Sequence, residues 1–308
     1  MTIEQVDVCV CTFRRASLKL TLESLAAQVM TPGASMRVII ADNDTTDARR
    51  AEILATAAHL GLACLYVHAP ERNISIARNA CLDAAASDWL VFIDDDEVAA
   101  PDWFATLLAA RAGCDIVFGV SQARYPDPAT PAWIVEGDFH SNRIEGNDGA
   151  ANGYTANVVM NRAFVVQHGL RFAPALGQIG GEDTRFFLEA EIAGARFGYC
   201  PAAIVHEDTP AARASLRWLM LRRYRAGQIH HLVMRRRGRP VVAGLLALPK
   251  AGLLLAGAAL LWPWRLRSVR LLLRGTLHIG HLSAVLGFAA YREYGASAQD
   301  GNAGTQKI

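Results

Sequence analysis

The chain has 308 residues, 52% hydrophobic and 19% charged, which allows a substantial core in one large domain or two smaller ones. Its six cysteines include no CxxC pair, which argues against a zinc or disulfide framework and for small buried apolar side chains in a reducing compartment. The net charge of +2 conceals a division: residues 1–208 carry 15 Lys and Arg against 27 Asp and Glu, and residues 209–308 carry 16 against 2.

An acidic front half suits a metal-dependent site, and a basic back half suits phosphate groups, anionic lipid or nucleic acid. The N-terminal residues show no basic leader before an apolar run, so no signal peptide is expected. In chain order, residues 6–11 form an apolar, β-rich run. Leu18, Leu22 and Leu25 follow at helical spacing behind Ser17, which suits an N-cap. Residues 38–41 predict a second strand that ends at Asp42-Asn43-Asp44. A helix over 48–59, a strand over 63–68 and an Ala-rich helix over 74–86 come next. The apolar stretch 89–93 predicts a strand that runs straight into Asp94-Asp95-Asp96-Glu97. Pro101 opens a further helix. This alternation predicts an α/β layered sheet.

Residues 121–153 are rich in Gly, Asn, Pro and Asp and read as one long loop of the kind that often carries function. Strand character returns over 154–160, and Gly180-Gly181-Glu182-Asp183 precedes a helical pattern over 184–193. A short apolar run, 202–205, ends at His206-Glu207-Asp208, and a basic helix follows over 214–236. Residues 241–264 are almost all apolar and long enough to span a bilayer. Pro249-Lys250 interrupts them, and a charge near the middle makes a plain span costly. A second apolar piece, 278–291, is too short to span alone, and Arg265, Arg267, Arg270 and Arg274 lie between the two. A shallow in-plane or re-entrant helix pair is expected, with a single span or a soluble helical cap as alternatives. The polar tail 295–308 is expected to be disordered.

The acids at 94–97 follow a strand, where open α/β sheets place their ligands. Two carboxylates about 4 Å apart repel by roughly 4 kcal/mol at an effective dielectric near 20. A divalent cation removes that cost; the alternative is a solvated acidic turn. The first strand–helix junction, Cys11-Thr12-Phe13-Arg14-Arg15, holds no glycine, and GxGxxG is missing where a dinucleotide fold needs it. No GxxxxGK[ST] occurs anywhere, which disfavours P-loop NTPases. Asp42 and Asn43 suit either a base edge or ribose, or an Asx turn. Arg72-Asn73 and Arg78-Asn79 suit either an anion at a helix N-terminus or capping. Glu182-Asp183 suits either a general base or a helix cap. His206 suits either a metal site or a structural role. Arg213, Arg217, Arg222, Arg223 and Arg225 spread around their helix with Trp218. They suit either a diphosphate or anionic headgroup, or a solvated basic face. No base-reading motif accompanies them, so no nucleic-acid partner is expected.

Taken in order, VxVCTFRR, ADND, NxSxARNxxxxxA, FIDDDE and GGED over residues 6–208 resemble the family 2 glycosyltransferases of GT-A fold. Arg213, Trp218, Arg222, Arg223 and Gly227, in R-x4-W-x3-RR-x3-G, resemble the succinoglycan-type exopolysaccharide glycosyltransferases of bacteria. The resemblance implies a Rossmann-like nucleotide-sugar-binding mixed sheet with helices on both faces, followed by C-terminal membrane-associated helices. The corresponding boundaries are a catalytic domain at 1–212, a basic and apolar helical region at 213–292 and a disordered tail at 293–308.

By resemblance, Cys11, Thr12 and Phe13 border the nucleobase, Asp42 with Asn43 binds uracil or ribose, and Asn73, Arg78, Asp94 and Asp95 complete the donor site. Asp94 and Asp96 are the ends of a DxD metal motif for Mg2+ or Mn2+, with His206 a less secure third ligand. Asp183 is the catalytic base, with Glu182 orienting the acceptor. Arg213, Trp218, Arg222 and Arg223 meet phosphate or acceptor. The expected reaction is inverting transfer of a hexose from a nucleoside-diphosphate sugar, a UDP-sugar foremost, to a hydroxyl of a polyprenyl-diphosphate-linked oligosaccharide. The expected place is the cytoplasmic face of the inner membrane, on anionic lipid, as a peripheral or monotopic protein. A metal-dependent nucleotidyltransferase and a silent nucleotide-sugar-binding protein are the other classes compatible with these features.

Overall fold

A computed structural model describes residues 4–144, 153–236, 238 and 240–288. The tail expected at 293–308, the end of the second apolar piece and residues 145–152 of the long loop lie outside them. Eight strands form one sheet in the order β3-β2-β1-β4-β7-β6-β8-β5. They are β1 (Glu4–Thr12), β2 (Ala34–Asp42), β3 (Ala63–His68), β4 (Trp89–Ile93), β5 (Glu97–Ala99), β6 (Ile116–Arg124), β7 (Asn157–Asn161) and β8 (Phe197–Asp208).

β1 pairs in parallel with both β2 and β4. β7 runs antiparallel to β4 and β6, β8 is parallel to β6, and β5 is antiparallel to β8. The mixed sheet with helices on both faces is therefore as expected. Its central strands are covered on both sides, which is why they read as unbroken apolar runs. Along β1, Cys9 and Cys11 pack on one face with Phe186 and Phe187, while Val6, Val8 and Val10 pack on the other with Leu18, Leu22 and Phe104. All six cysteines are free thiols, and Cys9, Cys11 and Cys81 are buried.

The front helices are α1 (Leu18–Ala26), α2 (Arg50–His59), α3 (Ile74–Ala84) and α4 (Trp103–Ala109). Ser17 stands at the start of α1, but its side chain makes no capping hydrogen bond. The region read as one loop over 121–153 is structured through residue 144. β6 runs on to Arg124, α5 (Ala132–Gly137) follows, and Ser121 pairs with Asn142 as an isolated bridge. Pro131 precedes this helix, and its short length left no periodicity to read. β7 is followed by α6 (Arg162–Gln167), a 3-10 turn (Pro174–Leu176) and α7 (Glu182–Ile192).

The basic half forms three helices of 21 residues each: α8 (Leu216–Arg236), α9 (Pro240–Leu260) and α10 (Arg265–Val285). α9 runs through Pro249 without a break. The four arginines expected between two apolar pieces instead belong to α10 itself. Among the described residues no helix is long and apolar enough to cross a membrane.

α8 and α10 cross at bare backbone. A Cβ on Gly227 would lie 1.9 Å from the Leu277 carbonyl oxygen, and one on Gly280 would lie 1.9 Å from that of Tyr224. Only glycine permits this approach, which gives Gly227 of the R-x4-W-x3-RR-x3-G pattern a packing role.

Candidate active site

The ends of β1, β2 and β4 lie side by side, and the chain departs from β1 toward β2 on one flank and toward β4 on the other. Such a switch point leaves a crevice beyond the strand ends. A cavity of about 980 Å³ occupies it, within the roughly 300–1,000 Å³ typical of ligand sites. Its walls come from the end of β1, the acids after β4, the start of α7, the end of β8 and one side of α8.

The start of α7 is set by two glycines with left-handed backbone, Gly180 (φ 87°) and Gly181 (φ 91°). They turn the chain so that Glu182 and Asp183 enter the helix facing the sheet. Opposite them stands Arg78 of α3, 6% exposed. Its guanidinium donates to Glu182 Oε1 at 2.7 Å and to Asp183 Oδ1 at 2.5 Å, and it approaches Asp94 Oδ1 at 3.8 Å. Asp183 also accepts from the Thr155 amide at 3.1 Å and from the Thr155 hydroxyl. One buried cation thus joins the acid pair of α7 to the acid run after β4.

The acids around it are crowded. Burial pushes the Asp94 carboxyl up to about 7; Arg78 opposes this, and the nearby Asp96, Asp183 and Asp95 add to it. Its side chain is 39% exposed, and cavity water tempers the effect. Burial raises Asp95 to about 6 against the pull of Arg15 and of the Thr12 hydroxyl, which donates to it at 2.7 Å. Arg15 pairs with both Asp95 and Asp96. Burial also raises Glu182, Glu97 and Glu207. Glu97 accepts from Ser121 Oγ at 2.5 Å and from the Asp94 amide at 3.2 Å, so it braces the acid turn from below.

This donor set fits a hard divalent cation: carboxylate oxygens in excess of their arginine partners, open to a cavity. Among the described residues no group of three or more His, Cys, Asp or Glu stands at metal-binding spacing. Mg2+ commonly uses one or two carboxylates plus substrate phosphates rather than a protein cage, and the pair Asp94 and Asp96 is compatible with that lesser share.

The other expected residues divide. Cys11, Thr12, Phe13, Asn43 and Asp95 line the cavity. Asn43 Oδ1 also accepts from the Asn73 amide at 2.9 Å. Asn73 is off the cavity wall: it caps α3, accepting from Ser75 and Ile76, and donates to the Pro174 carbonyl. Asp42 is 1% exposed and lies beneath the wall, where the Tyr66 hydroxyl donates to it at 2.9 Å. Asp44 instead forms a two-pronged ion pair with Arg14.

Side chains alternate along β8, so Glu207 and Thr209 face the cavity while His206 does not. Ala203 and Val205 are buried in the core, and Glu207 continues their side of β8. Arg213 donates to Glu207 at 2.8 Å. Trp218 and Arg222 of α8 line the cavity, as does Arg225, whereas Arg223 does not. Trp218 stacks on His140 with ring centroids 5.1 Å apart, and the Arg213 and Arg222 guanidinium groups lie over its ring at 5.9 and 5.5 Å. Arg222 also donates to Asn142 Oδ1 at 2.9 Å. His140 and Asn142, in the supposed loop, had no sequence signal beyond the loop's length. Arg15 and Thr155 were also passed over; Arg15 stands inside the first motif, and Thr155 has no motif of its own.

The sequence profile described as Glycosyl transferase family 2 matches residues 7–167. The chain is 40% identical over 297 residues to the succinoglycan biosynthesis protein ExoM of Rhizobium meliloti (strain 1021), covering 94% of this chain and 96% of that protein. The chain belongs to glycosyl transferase family 2. It is a glycosyltransferase, and solved structures share its fold. The mannosyltransferase PcManGT from Pyrobaculum calidifontis, in complex with GDP-Man and Mn2+, matches with a TM-score of 0.63 at 19% identity, over 91% of this chain and 86% of that one. Residues 1–349 of S. aureus TarS, in complex with UDP, match with a TM-score of 0.54 at 14% identity over 92% of each chain. At these identities the likeness concerns the GT-A-like sheet alone.

The Arg78 arrangement yields a test. Arg78→Met leaves the buried Glu182 carboxylate without its cation and should cost about 3–5 kcal/mol, read by urea unfolding at pH 8. The raised Glu182 and Asp94 carboxyls take up protons in the folded state as pH falls, so the cost should shrink by pH 5. An equal deficit at both pH values would show that Arg78 does not act through these charges.

Proposed function

We propose that this glycosyltransferase moves a hexose, with inversion, from a nucleoside-diphosphate sugar, UDP-hexose foremost, to a hydroxyl of a lipid-linked oligosaccharide in exopolysaccharide biosynthesis. The observation that carries the reading is the meeting of Asp94, Asp95 and Asp96 with Glu182 and Asp183 around Arg78, in one cavity at the strand ends. The named role of the relative ExoM in succinoglycan biosynthesis supports the pathway class. The nucleotide-bound relatives of the same fold support the donor class.

In this reading the nucleoside lies over Cys11, Thr12 and Phe13, beside Asn43. Asp94 and Asp96 would hold Mg2+ or Mn2+, which when bound would supply Lewis-acid neutralisation of the departing diphosphate. Asp183, fixed by Arg78 and Thr155, takes the proton of the acceptor hydroxyl as its oxygen attacks the anomeric carbon from the face opposite the leaving group. The bond to the diphosphate oxygen breaks in the same displacement. Glu182, held by the same guanidinium, fixes the direction from which the acceptor enters. Arg213, Arg222 and Trp218 form the far wall, where phosphate or acceptor sugar would be held.

We also propose that the protein works at the cytoplasmic face of the inner membrane, lying on anionic lipid. Leu248, Leu253, Leu260, Trp262 and Trp264 are 64%, 77%, 79%, 64% and 57% exposed, an apolar surface beside the arginines of α10. Such a surface suits in-plane insertion with headgroup attraction.

Asp96→Ala should abolish the metal dependence of UDP binding measured by calorimetry with and without Mn2+. The same metal dependence in variant and parent would remove Asp96 from the site. Asp183→Asn should keep donor affinity and lose transfer by roughly 10²–10⁴-fold, the usual worth of a general base; near-normal turnover would assign the base elsewhere. In a sedimentation assay with phosphatidylglycerol vesicles, Leu253→Asp with Leu260→Asp should reduce the salt-resistant bound fraction. Binding unchanged by these substitutions would contradict insertion through α9.

A further inference from the structure

A second cavity, of about 470 Å³, opens between α7 and α8 and shares Gly181, Thr184 and Ile229 with the wall of the catalytic cavity. The two spaces therefore share a wall beside the acid pair of α7. Gly181 and Ile229 pack together in that wall: a Cβ on Gly181 would stand 3.0 Å from Ile229 Cγ2. Beyond it the walls are Leu176, Leu188, Leu232 and Val233. No aromatic ring and a single acid, Glu189, line the groove, and Glu189 is paired with Arg236 at 3.0 Å. Sugar rings are held by aromatic faces and by carboxylate or amide groups, so these walls suit hydrocarbon instead. Arg185, Arg235 and Arg236 stand on its rim, all exposed.

The same side of α8 serves both spaces. Arg222 and Arg225 face the catalytic cavity, Ile229 is shared, and Leu232, Val233 and Arg236 face the groove. These residues recur every three or four positions, which sets them in one stripe along the helix. A ligand lying on that stripe would meet cations, then hydrocarbon, then cations, and would run toward the end of α8 that leads into the apolar α9.

We infer that the α7–α8 groove binds the prenyl chain of the lipid-linked acceptor, with the diphosphate that joins this chain to the glycan held by the rim arginines and the glycan reaching from there to the catalytic cavity. The inference rests on the proposed function and deepens it. It gives the acceptor a chemical class recognised by the protein directly, a prenyl diphosphate, rather than one merely present in the membrane. It also gives the residues after Asp183 on α7 a task distinct from proton transfer.

The test uses the full chain saturated with UDP and Mn2+, so that the donor's diphosphate site is filled. Geranylgeranyl diphosphate, below its micelle concentration, is titrated in by calorimetry, with inorganic diphosphate as the headgroup control. Wild type should bind the prenyl compound at least ten-fold more tightly than inorganic diphosphate. Leu232→Asp, at a position 38% exposed, should remove that ten-fold advantage, and Arg185→Glu should weaken binding of both compounds. Unchanged UDP affinity in both variants would show that they are folded. Prenyl binding that is absent in wild type, or equal in Leu232→Asp, would overturn the inference while leaving the donor reading intact. Displacement of the probe by an equal concentration of short-chain phosphatidylglycerol would give the groove to bulk lipid and overturn it as well. Failure of wild type to bind UDP at all would overturn the proposed function instead.

Discussion

The buried guanidinium of Arg78 is the contact on which the arrangement of the site depends. It is brought there by α3, whose start is fixed by the Asn73 cap and whose Ala-rich face lies against the sheet. From that position it reaches Glu182, Asp183 and Asp94. Without it, several carboxylates would share a poorly hydrated space, each raising the cost of ionising the others. With it, Asp183 has a fixed orientation, and the rise that burial imposes on the Asp94 carboxyl is opposed. The planar, multiply donating head of arginine suits this task in a way that lysine's point charge does not.

A second constraint comes from the basic half of the chain. The division of charge near residue 209 suggests two functions placed end to end, but the fold uses the basic half as part of the site. α8 brings Trp218, Arg222 and Arg225 to the cavity, and α10 holds α8 in place through the glycine crossing at Gly227 and Gly280. Positive charge on α8 thus faces the negative run after β4 across the cavity. Under the proposed function, a diphosphate with its metal would meet both walls. The exposed apolar side of α9 lies on the same helical assembly, so the surface proposed to meet lipid and the wall of the site belong to one set of packed helices.

The sheet was largely legible because both its faces are covered: β1, β2 and β4 read as apolar runs, and the acids and turns at their ends mark the ligand side. The acid motifs were legible for the same reason, since charge directly after a buried strand has few places to go. What could not be read depends on which way a side chain points or on contacts between distant segments. His206 and Glu207 are neighbours in sequence, and only the β8 register decides that Glu207 faces the cavity. Asn73 and Asn43 were open between ligand and cap, and their hydrogen bonds to each other and to α3 account for the capping alternative. Thr155, His140 and Arg15 act through partners far along the chain, and no local pattern announces them. α5 is too short for a period to show.

The central claim is that these acids carry out a single displacement at a sugar's anomeric carbon. The measurement that tests it most directly is NMR of the product formed from a UDP-hexose and a membrane lipid extract, with nucleotide release followed in parallel. The account predicts release of a nucleoside diphosphate and a glycosidic bond whose anomeric configuration is opposite to that of the donor. Release of inorganic diphosphate, or a product that keeps the donor's configuration, would contradict it.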